Sequence, residues 1–285
     1  MEKKLKKEME TIISLLDDTS PTVTNLAREK LLDMGDFIYP ALVEAYIQNE
    51  NLEIKKALHS ILKEINYEKV ESEILFFDFE NEYIALENLS FKIARLEYPT
   101  LQIENYKNLL SHYSDNIRYS VTANSSKLEL LQGINWYLFT VLGLNGDTAK
   151  YYDPQNSYLN RVLDRKKGIP VTLSVIYMLV AHRLGLDLSG IALPGHFVLT
   201  VSNTPGKYYI DVFNKGKIIS SNDCKEIIKR AGVGFEEKYL QPVNSREIIS
   251  RILRNLIYVY KREQDDEQLL LYETLANTIE SLGMI

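Results

Sequence analysis

Apolar residues recur at intervals of three and four along the first half of the chain. In METIISLLDD, residues 9–18, this spacing predicts a helix with one buried face. The following stretch, TSPTVTNLAREKLLDMG, has Ser20 as a candidate N-cap, Pro21 at the first helical position and Gly35 after the last turn. These residues are typical of a helix start and a helix end. The same periodicity continues through residues 67–145, so the sequence predicts a helical first half.

The first helical segment contains an internal repeat. Moving 31 residues forward takes five apolar positions onto five others, which predicts two stacked helical hairpins. The first set is Val23, Leu26, Ala27, Leu31 and Met34, and the second is Ile54, Ala57, Leu58, Leu62 and Ile65. The stretch LLDDTSPTVTNLAREKLLDMGDFIYPALVEAY also resembles a HEAT repeat, a resemblance that covers about residues 1–66. This segment either covers the core of the main domain or offers a surface to a partner.

After Gly146 the pattern changes to a loop, two helices and two strands. NSYLNRVLDRKKG predicts a short helix, with Asn156 as its cap and Gly168 as its end. IPVTLSVIYMLVAHRLG predicts a strongly apolar helix that has Pro170 in its first turn and Gly185 at its end. The stretches GHFVLTV and KYYIDVF then alternate between polar and apolar positions, as strands do.

These two strands predict a hairpin with a defined pair of side chains. The intervening SNTPG contains turn-forming residues, and a hairpin centred on Asn203 and Thr204 places His196 directly opposite Asp211. Opposite residues share a face and have Cβ atoms about 5 Å apart. A shift of one residue would move the two side chains to opposite faces.

Composition and charge narrow the class of protein. The 285 residues are 45% hydrophobic and 25% charged with a net charge of −6, and they contain no long basic block. We therefore expect no nucleic-acid partner. The first ten residues lack the apolar core of a signal peptide, and the longest near-apolar run, 171–181, is shorter than the roughly 20 residues that span a bilayer. These features predict a cytoplasmic protein without a membrane partner.

The histidines and the cysteine offer few sites for metals. Cys224 is the one cysteine, so no internal disulfide and no thiolate zinc site can form. His59, His112 and His182 are scattered over predicted helices without the spacing of metal ligands. We therefore predict neither a metal nor a cofactor.

The predicted pair of His196 and Asp211 is a candidate general base. A carboxylate fixes the tautomer of the imidazole and stabilises its charged form. Catalysis of acyl transfer also needs a nucleophile, and a helix N-terminus is a favourable place for one. The helix that begins at Pro170 supplies such a position, but its first turn contains no cysteine. It offers Thr172, with Ser174 slightly deeper.

Residues from about 86 to 254 resemble a bacterial transglutaminase-like family, in the subgroup that is often followed by tetratricopeptide repeats. The resemblance lies in LENLSFKIARLEYP, GLNGDTAKYYDPQNSYLNRVLDRKKGIPVTLSVIYMLVAHRLG, PGHFVLTV and YYIDVFNKGKIIS. It implies a papain-like, transglutaminase-type fold in which a Cys begins the central helix and a His and an Asp follow on adjacent strands. The His corresponds to His196 and the Asp to Asp211. The Cys position falls between Pro170 and Thr172 and holds no cysteine, as is general in this subgroup.

Together these patterns predict an α+β protein of three parts. HEAT-like hairpins occupy residues 1–66. A transglutaminase-like domain with a helical lead-in and a small antiparallel sheet on its central helix occupies residues 67–243. Residues 244–285 form two helices joined near Gln264 and resemble a tetratricopeptide-like hairpin.

Two functions remain open from the sequence. One is a domain without a nucleophile that binds a protein or peptide partner or regulates one. The other is a papain-fold acyl transferase or amide hydrolase, in which the Thr172 hydroxyl attacks, His196 is the base and Asp211 orients it. A hydroxyl of Thr172 or Ser174 within about 3.2 Å of a His196 nitrogen, in an open cleft, would favour the enzyme.

Polar residues before the central helix are candidates for substrate binding. Asn156, Arg161 and Arg165 lie in a segment expected near the cleft and suit a carboxylate or an amide. Alternatively, Asn156 caps a helix and Arg165 pairs with a nearby carboxylate. Cys224, at the capped helix start SSNDCKEIIKR, is either a reactive thiol or, as its position after His196 and Asp211 favours, a small packed residue.

Overall fold

The computed structural model describes residues 2–75, 82–121, 125–202 and 208–281. The chain forms two compact units: Met1–Glu73 together with Lys92–Leu101, and Ile74–Phe91 together with Gln102–Ile285. Most of the described residues are helical, and a small antiparallel sheet lies in the second unit. None of the described helices is both long enough and apolar enough to cross a membrane.

The first unit is built from amphipathic helices that share one apolar core. Gly35 follows the second helix with a φ of 54°, at the position where the sequence predicts its end. The helices are α1 (Glu2–Ile13), α2 (Pro21–Met34), α3 (Tyr39–Gln48) and α4 (Leu52–Leu75), and the last turns of α5 (Glu82–Glu97) also belong to the unit. The predicted boundary at residue 66 falls inside α4, which continues for nine more residues.

The internal repeat corresponds only in part to buried positions. Leu31 and its counterpart Leu62 are fully buried in the core of the first unit, and Ala27 and Leu58 are buried there too. Leu26, in contrast, is 60% exposed. An apolar residue at helical spacing is therefore not always on the buried face.

The second unit surrounds a central helix that is apolar on all sides. Every residue from Pro170 to Ala181 of this helix is buried, as a helix without a polar face requires. The helices of the unit after α5 are α6 (Ile103–Ser120), α7 (Lys127–Asn135) with a π-helical continuation (Trp136–Val141), α8 (Leu159–Arg165), the central α9 (Pro170–Arg183), α10 (Ser221–Arg230), α11 (Ser245–Glu263) and α12 (Asp266–Ser281).

The sheet of the second unit packs on α9 through its middle strands. A separate parallel pair, β1 (Asn145–Gly146) and β2 (Lys167–Gly168), precedes the central helix. The antiparallel sheet has the spatial order β6-β5-β4-β3-β7. Its strands are β3 (Leu188–Ile191), β4 (Val198–Val201), β5 (Tyr209–Asp211), β6 (Lys217–Ile219) and β7 (Pro242–Val243).

The hairpin of β4 and β5 differs from the predicted one by two residues. Leu199 pairs with Ile210 and Thr200 with Tyr209, which places Asp211 level with Val198, where the prediction places it level with His196. Because side chains alternate between faces, a shift of two residues preserves the predicted face. The predicted turn centre at Asn203 lies outside the described residues.

The C-terminal helices α11 and α12 pack against each other and belong to the second unit. Tyr158 is the residue immediately before α8. Its hydroxyl lies 2.8 Å from the hydroxyls of both Tyr260 and Tyr272. All three tyrosines are buried. This hydrogen-bonded group joins the hairpin of residues 244–281 to the start of α8.

Candidate functional site

A tight turn positions His196. The His196 N–H donates to the carbonyl of Leu193 at 3.1 Å, and Gly195 has a φ of 75°. Pro194 followed by a glycine of positive φ is the residue pattern of a type II turn. A Cβ at Gly195 would also come within 3.1 Å of the Ala231 Cβ. His196 therefore leaves the turn ahead of β4 and not from within the strand, where the sequence pattern predicts it.

Asp211, the last residue of β5, accepts the hydrogen bond of that histidine. Its Oδ1 lies 3.0 Å from His196 Nε2 and also accepts the Asn214 N–H at 3.2 Å, while its Oδ2 accepts the Asn214 side-chain amide at 2.7 Å. The two side chains are only 12% and 5% exposed. Burial alone would raise the pKa of Asp211, but the hydrogen bond and charge of His196 and the bonds from Asn214 outweigh it and lower the pKa.

A cavity of about 450 Å³ lies beside this pair. Its walls include His196, Asp211, Phe213, Tyr151 and Pro170, the first residue of α9. The second ring nitrogen of the histidine, Nδ1, makes no hydrogen bond to the part of the chain that the structure describes. The cleft that the sequence predicts is thus open, and the imidazole of His196 forms part of its wall.

The candidate hydroxyl of Thr172 lies elsewhere. It is fully buried, donates to the Asn156 carbonyl at 2.7 Å and accepts the Ile169 N–H at 3.3 Å. Ser174 is fully buried as well, and its hydroxyl has no hydrogen-bond partner among the described residues. Neither residue lines the cavity, and neither hydroxyl is hydrogen-bonded to His196.

Cys224 is also inaccessible. It is fully buried in α10, whose capping box of Ser220 and Asp223 agrees with the predicted helix start. Burial, with the nearby charges of Asp223 and Asp211, raises the pKa of the Cys224 thiol to about 12. A thiol with this pKa is protonated at neutral pH and unreactive.

The three candidate substrate-binding residues are engaged within their own segment. Asn156 is fully buried and does not cap α8, which begins three residues later; its amide donates to the Lys150 carbonyl at 2.7 Å. Arg161 binds the Gln155 side chain at 3.0 and 3.1 Å. Arg165 pairs with Asp153 at 3.0 Å and lies 3.6 Å from Asp147. None of the three lines the cavity. The Asn156 carbonyl instead accepts the hydrogen bond of the Thr172 hydroxyl and so holds the first turn of α9.

The cavity also contains residues that sequence reasoning did not select. Asn214 holds Asp211 through two hydrogen bonds, and Tyr151 and Phe213 form an aromatic wall with ring centres 6.2 Å apart. Asn214 was detectable as an amide three residues after the aspartate, within a turn. The described residues contain no group of three His, Cys, Asp or Glu side chains that could hold a metal ion.

Comparison with known proteins identifies a matching family and several relatives. A sequence profile described as transglutaminase-like superfamily matches residues 104–254. A UPF0162 protein of Xylella fastidiosa (strain 9a5c) is 37% identical over 188 residues, 64% of this chain and 66% of its own length. A UPF0162 protein of Vibrio cholerae is 34% identical over 127 residues, 43% of this chain and 46% of its own.

A longer relative matches a similar part of the chain. F-box only protein 21 of Mus musculus is 31% identical over 160 residues, which are 53% of this chain and 25% of that protein. The chain therefore spans just under two thirds of the Xylella fastidiosa protein and a quarter of the mouse protein. No solved structure matches.

Proposed function

Because the chain belongs to the transglutaminase-like superfamily, we propose that its second unit is a non-catalytic module that binds or regulates a protein or peptide partner at the cavity beside His196. One observation carries the proposal. The residue that the first turn of α9 contributes to the cavity is Pro170, which has neither a nucleophilic atom nor a backbone N–H. The resemblance assigns the superfamily cysteine to this turn.

The remaining hydroxyls near the cavity are poorly suited to attack. A nucleophile must lie within hydrogen-bond reach of its base, whereas the Thr172 proton is already donated to a backbone carbonyl. Moving this hydroxyl would leave that buried carbonyl unpaired, at a cost of about 1–3 kcal/mol. Tyr151 does line the cavity, but burial raises the pKa of its phenol, against the opposing charge of Arg251, so the phenol stays protonated.

The relatives add support for a module. In F-box only protein 21 the similar segment is a quarter of the chain, so related sequence occurs there as one part of a larger protein. A binding domain can be combined with other segments in this way without any change to its own site. The partner of this chain is proposed to be a protein or a peptide.

The flanking helices are proposed to offer surfaces of their own to a partner. We propose that the first unit is built of HEAT-like hairpins and that α11 and α12 form a tetratricopeptide-like hairpin; the shared helical core of the first unit and the packing of α11 on α12 support this. Exposed apolar side chains on the first unit, among them Leu26, Phe37 and Ile47, are available for contacts. We also propose a cytoplasmic protein that binds neither nucleic acid nor membrane, and its net charge of −6 supports the absence of a polyanionic partner.

The alternative is a papain-fold acyl transferase or amide hydrolase. It is favoured by the open cavity and by the unbonded Nδ1 of His196, which could take a proton from a nucleophile. In this case Thr172 would change rotamer to reach the imidazole, and Asp211 would orient the ring.

An acyl probe separates the two functions. The full-length protein and its His196→Ala variant are treated with a fluorophosphonate and with a peptidyl acyloxymethyl ketone, and the intact masses are measured. We expect no adduct on either protein, while a papain control is labelled. An adduct on the wild type that is absent from His196→Ala would establish catalysis and refute the module.

A second experiment tests whether the α9 start faces the histidine. Pro170→Cys places a thiol on the cavity wall, where the helix N-terminus and the imidazole lower its pKa. We expect its alkylation by iodoacetamide at pH 6.5 to exceed that of a free thiol by about tenfold, and to fall when His196→Ala is added. Thr172→Cys is the buried control and should stay unmodified. Equal, slow reaction of both variants would show that Pro170 does not face the pair.

A further inference from the structure

A row of aromatic side chains leads from the cavity to the protein surface. The rings of His196, Phe213, Tyr151, Tyr152 and Tyr258, which we call the aromatic strip, have successive centre distances of 6.0, 6.2, 5.2 and 5.2 Å. The first three line the cavity, and the last two are 47% and 50% exposed. Their spacing is close to the roughly 6.6 Å that separates alternate side chains of an extended peptide.

Three arginines along the aromatic strip have no carboxylate partner among the described residues. Arg230 is exposed at the rim of the cavity. The half-buried Arg251 lies near Tyr151, and its only hydrogen bond among the described residues is a long one, 3.5 Å, to the Leu193 carbonyl. Arg262 stacks over Tyr152, with its guanidinium carbon 4.3 Å from the ring centre.

Other arginines of the second unit do have carboxylate partners. Arg254, on the same helix as Arg251, pairs with Glu280 at 3.5 Å, and Arg183 pairs with Glu87 at 2.5 Å. The chain has 39 acidic residues, so carboxylates are plentiful elsewhere. A partly buried cation is costly unless it is paired, and burial lowers the pKa of Arg251. The one carboxylate in the cavity wall, Asp211, is already bound by His196 and Asn214.

We propose that the aromatic strip is the docking site of an acidic peptide in extended conformation, whose carboxylates pair with Arg251, Arg230 and Arg262. Alternate side chains of the peptide stack on the tyrosines. The arginines give the aromatic strip a local positive charge, although the chain as a whole is negative. Aromatic residues and arginines are the residue types that dominate binding energy at interfaces. The inference rests on the proposed function, because it names the chemistry of the partner of the same cavity.

The test is a selection with the full-length protein. Displayed random peptides about twelve residues long, enough to cover the strip in extended form, are enriched, and the affinities of individual peptides are then measured by fluorescence anisotropy. We expect the enriched peptides to be acidic, with affinity that falls as salt rises. Arg251→Gln should weaken binding by about 10- to 100-fold, the loss of a charge-assisted bond at a partly buried site. Arg262→Gln, at an exposed site, should weaken it by about two- to fivefold.

Arg254→Gln is the matched control, since it removes a paired arginine from the same helix, and it should leave the affinity within about twofold. If Arg251→Gln does not fold, Arg262→Gln and Tyr152→Ala, both at exposed residues, decide the question. Enrichment of neutral or basic peptides, no enrichment at all, or equal affinities for Arg254→Gln and Arg262→Gln would overturn the proposal.

The same experiment separates this inference from the proposed function. Neutral peptides whose binding is lost in His196→Ala would refute the acidic partner and leave the module intact. Cleavage or acyl transfer, measured by the mass of an enriched peptide after incubation, would refute the module itself. Acidic peptides that bind unchanged and depend on Arg251 support both.

Discussion

Replacing Thr172 with valine distinguishes a structural hydroxyl from a nucleophile. Valine has nearly the same shape as threonine, so the substitution removes the oxygen and leaves the packing of α9 in place. Two buried backbone groups then lose their partners, the Asn156 carbonyl and the Ile169 N–H. The Ile169 carbonyl keeps its bond from the Leu173 N–H, so it adds little to the loss.

The expected cost follows from these two groups. An unsatisfied buried backbone donor or acceptor costs about 1–3 kcal/mol, so the loss of both partners in Thr172→Val should lower the free energy of unfolding by about 2–6 kcal/mol. Thr172→Ser keeps the oxygen and loses only a methyl group, which costs about 1 kcal/mol. Thr274→Val is the control, because its hydroxyl makes a bond of 2.8 Å to a helix carbonyl in an exposed setting, and we expect a change within about 0.5 kcal/mol.

Urea denaturation measures these differences. The chain has one tryptophan, Trp136, which lies in the second unit and so reports on the unfolding of that unit. Peptide binding by folded Thr172→Val should equal that of the wild type. A Thr172→Val protein of unchanged stability that had lost a His196-dependent reaction would refute the structural role and favour the hydroxyl nucleophile.

Three further predictions concern the cavity wall and the helix α10, which contributes to that wall. Asp211→Asn should lower the free energy of unfolding at pH 7 by about 1–3 kcal/mol. The folded pKa of Asp211 lies below its ordinary 3.8, so the stability that its carboxylate contributes is complete above pH 3.8 and is lost as the pH falls through the folded pKa. The urea midpoints of variant and wild type should therefore converge in acid, and a difference that stays constant with pH would contradict this. Gly195→Ala should lower the free energy of unfolding more than Gly185→Ala. Both positions have a positive φ, so an alanine at either one carries about 1–2 kcal/mol of backbone strain, but only the Cβ at position 195 comes within 3.1 Å of Ala231. Equal urea midpoints for the two variants would show that this close approach has no cost. Cys224 should react with a maleimide at pH 7 only in denaturant, because it is buried and its pKa is raised to about 12; rapid labelling of the native protein would show that α10 opens.

Local signals in the sequence predict the ends of some helices, although both predicted ends of α8, Asn156 and Gly168, are wrong. α2 begins at Pro21 and is followed by Gly35, and α9 begins at Pro170. These signals are local, because the fixed φ of proline favours a helix start and the positive φ of glycine ends a helix without any tertiary contact. Burial is predicted less well. Leu26 matches the helical period and is nevertheless 60% exposed, since the exposed fraction depends on which neighbouring helix is present, and this information is not in the local pattern.

The pairing of His196 with Asp211 was predictable, although its geometry was not. Alternation predicts the shared face, but the register depends on the length and conformation of the loop between the strands, which composition does not determine. The turn at Pro194 and Gly195 also moves His196 out of the strand. The same limit applies to Arg161 and Arg165. Their partners Gln155 and Asp153 are close in the chain, yet the sequence alone could not decide between these local bonds and a bound substrate.

The unbonded Nδ1 of His196 bears on whether the pair of His196 and Asp211 binds a ligand or only stabilises the fold. A buried carboxylate is costly unless it is hydrogen-bonded, and His196 supplies one of the three bonds that Asp211 receives. A pair that only tied the Leu193–His196 turn to β5 would be most stable with both ring nitrogens bonded, because buried polar atoms are normally satisfied. In this protein Nε2 is bonded to Asp211, whereas Nδ1 has no hydrogen-bond partner among the described residues and the ring lines an open cavity. Because Asp211 accepts the hydrogen bond from the Nε2 side of the ring, Nδ1 is the imidazole nitrogen left to a ligand at the cavity.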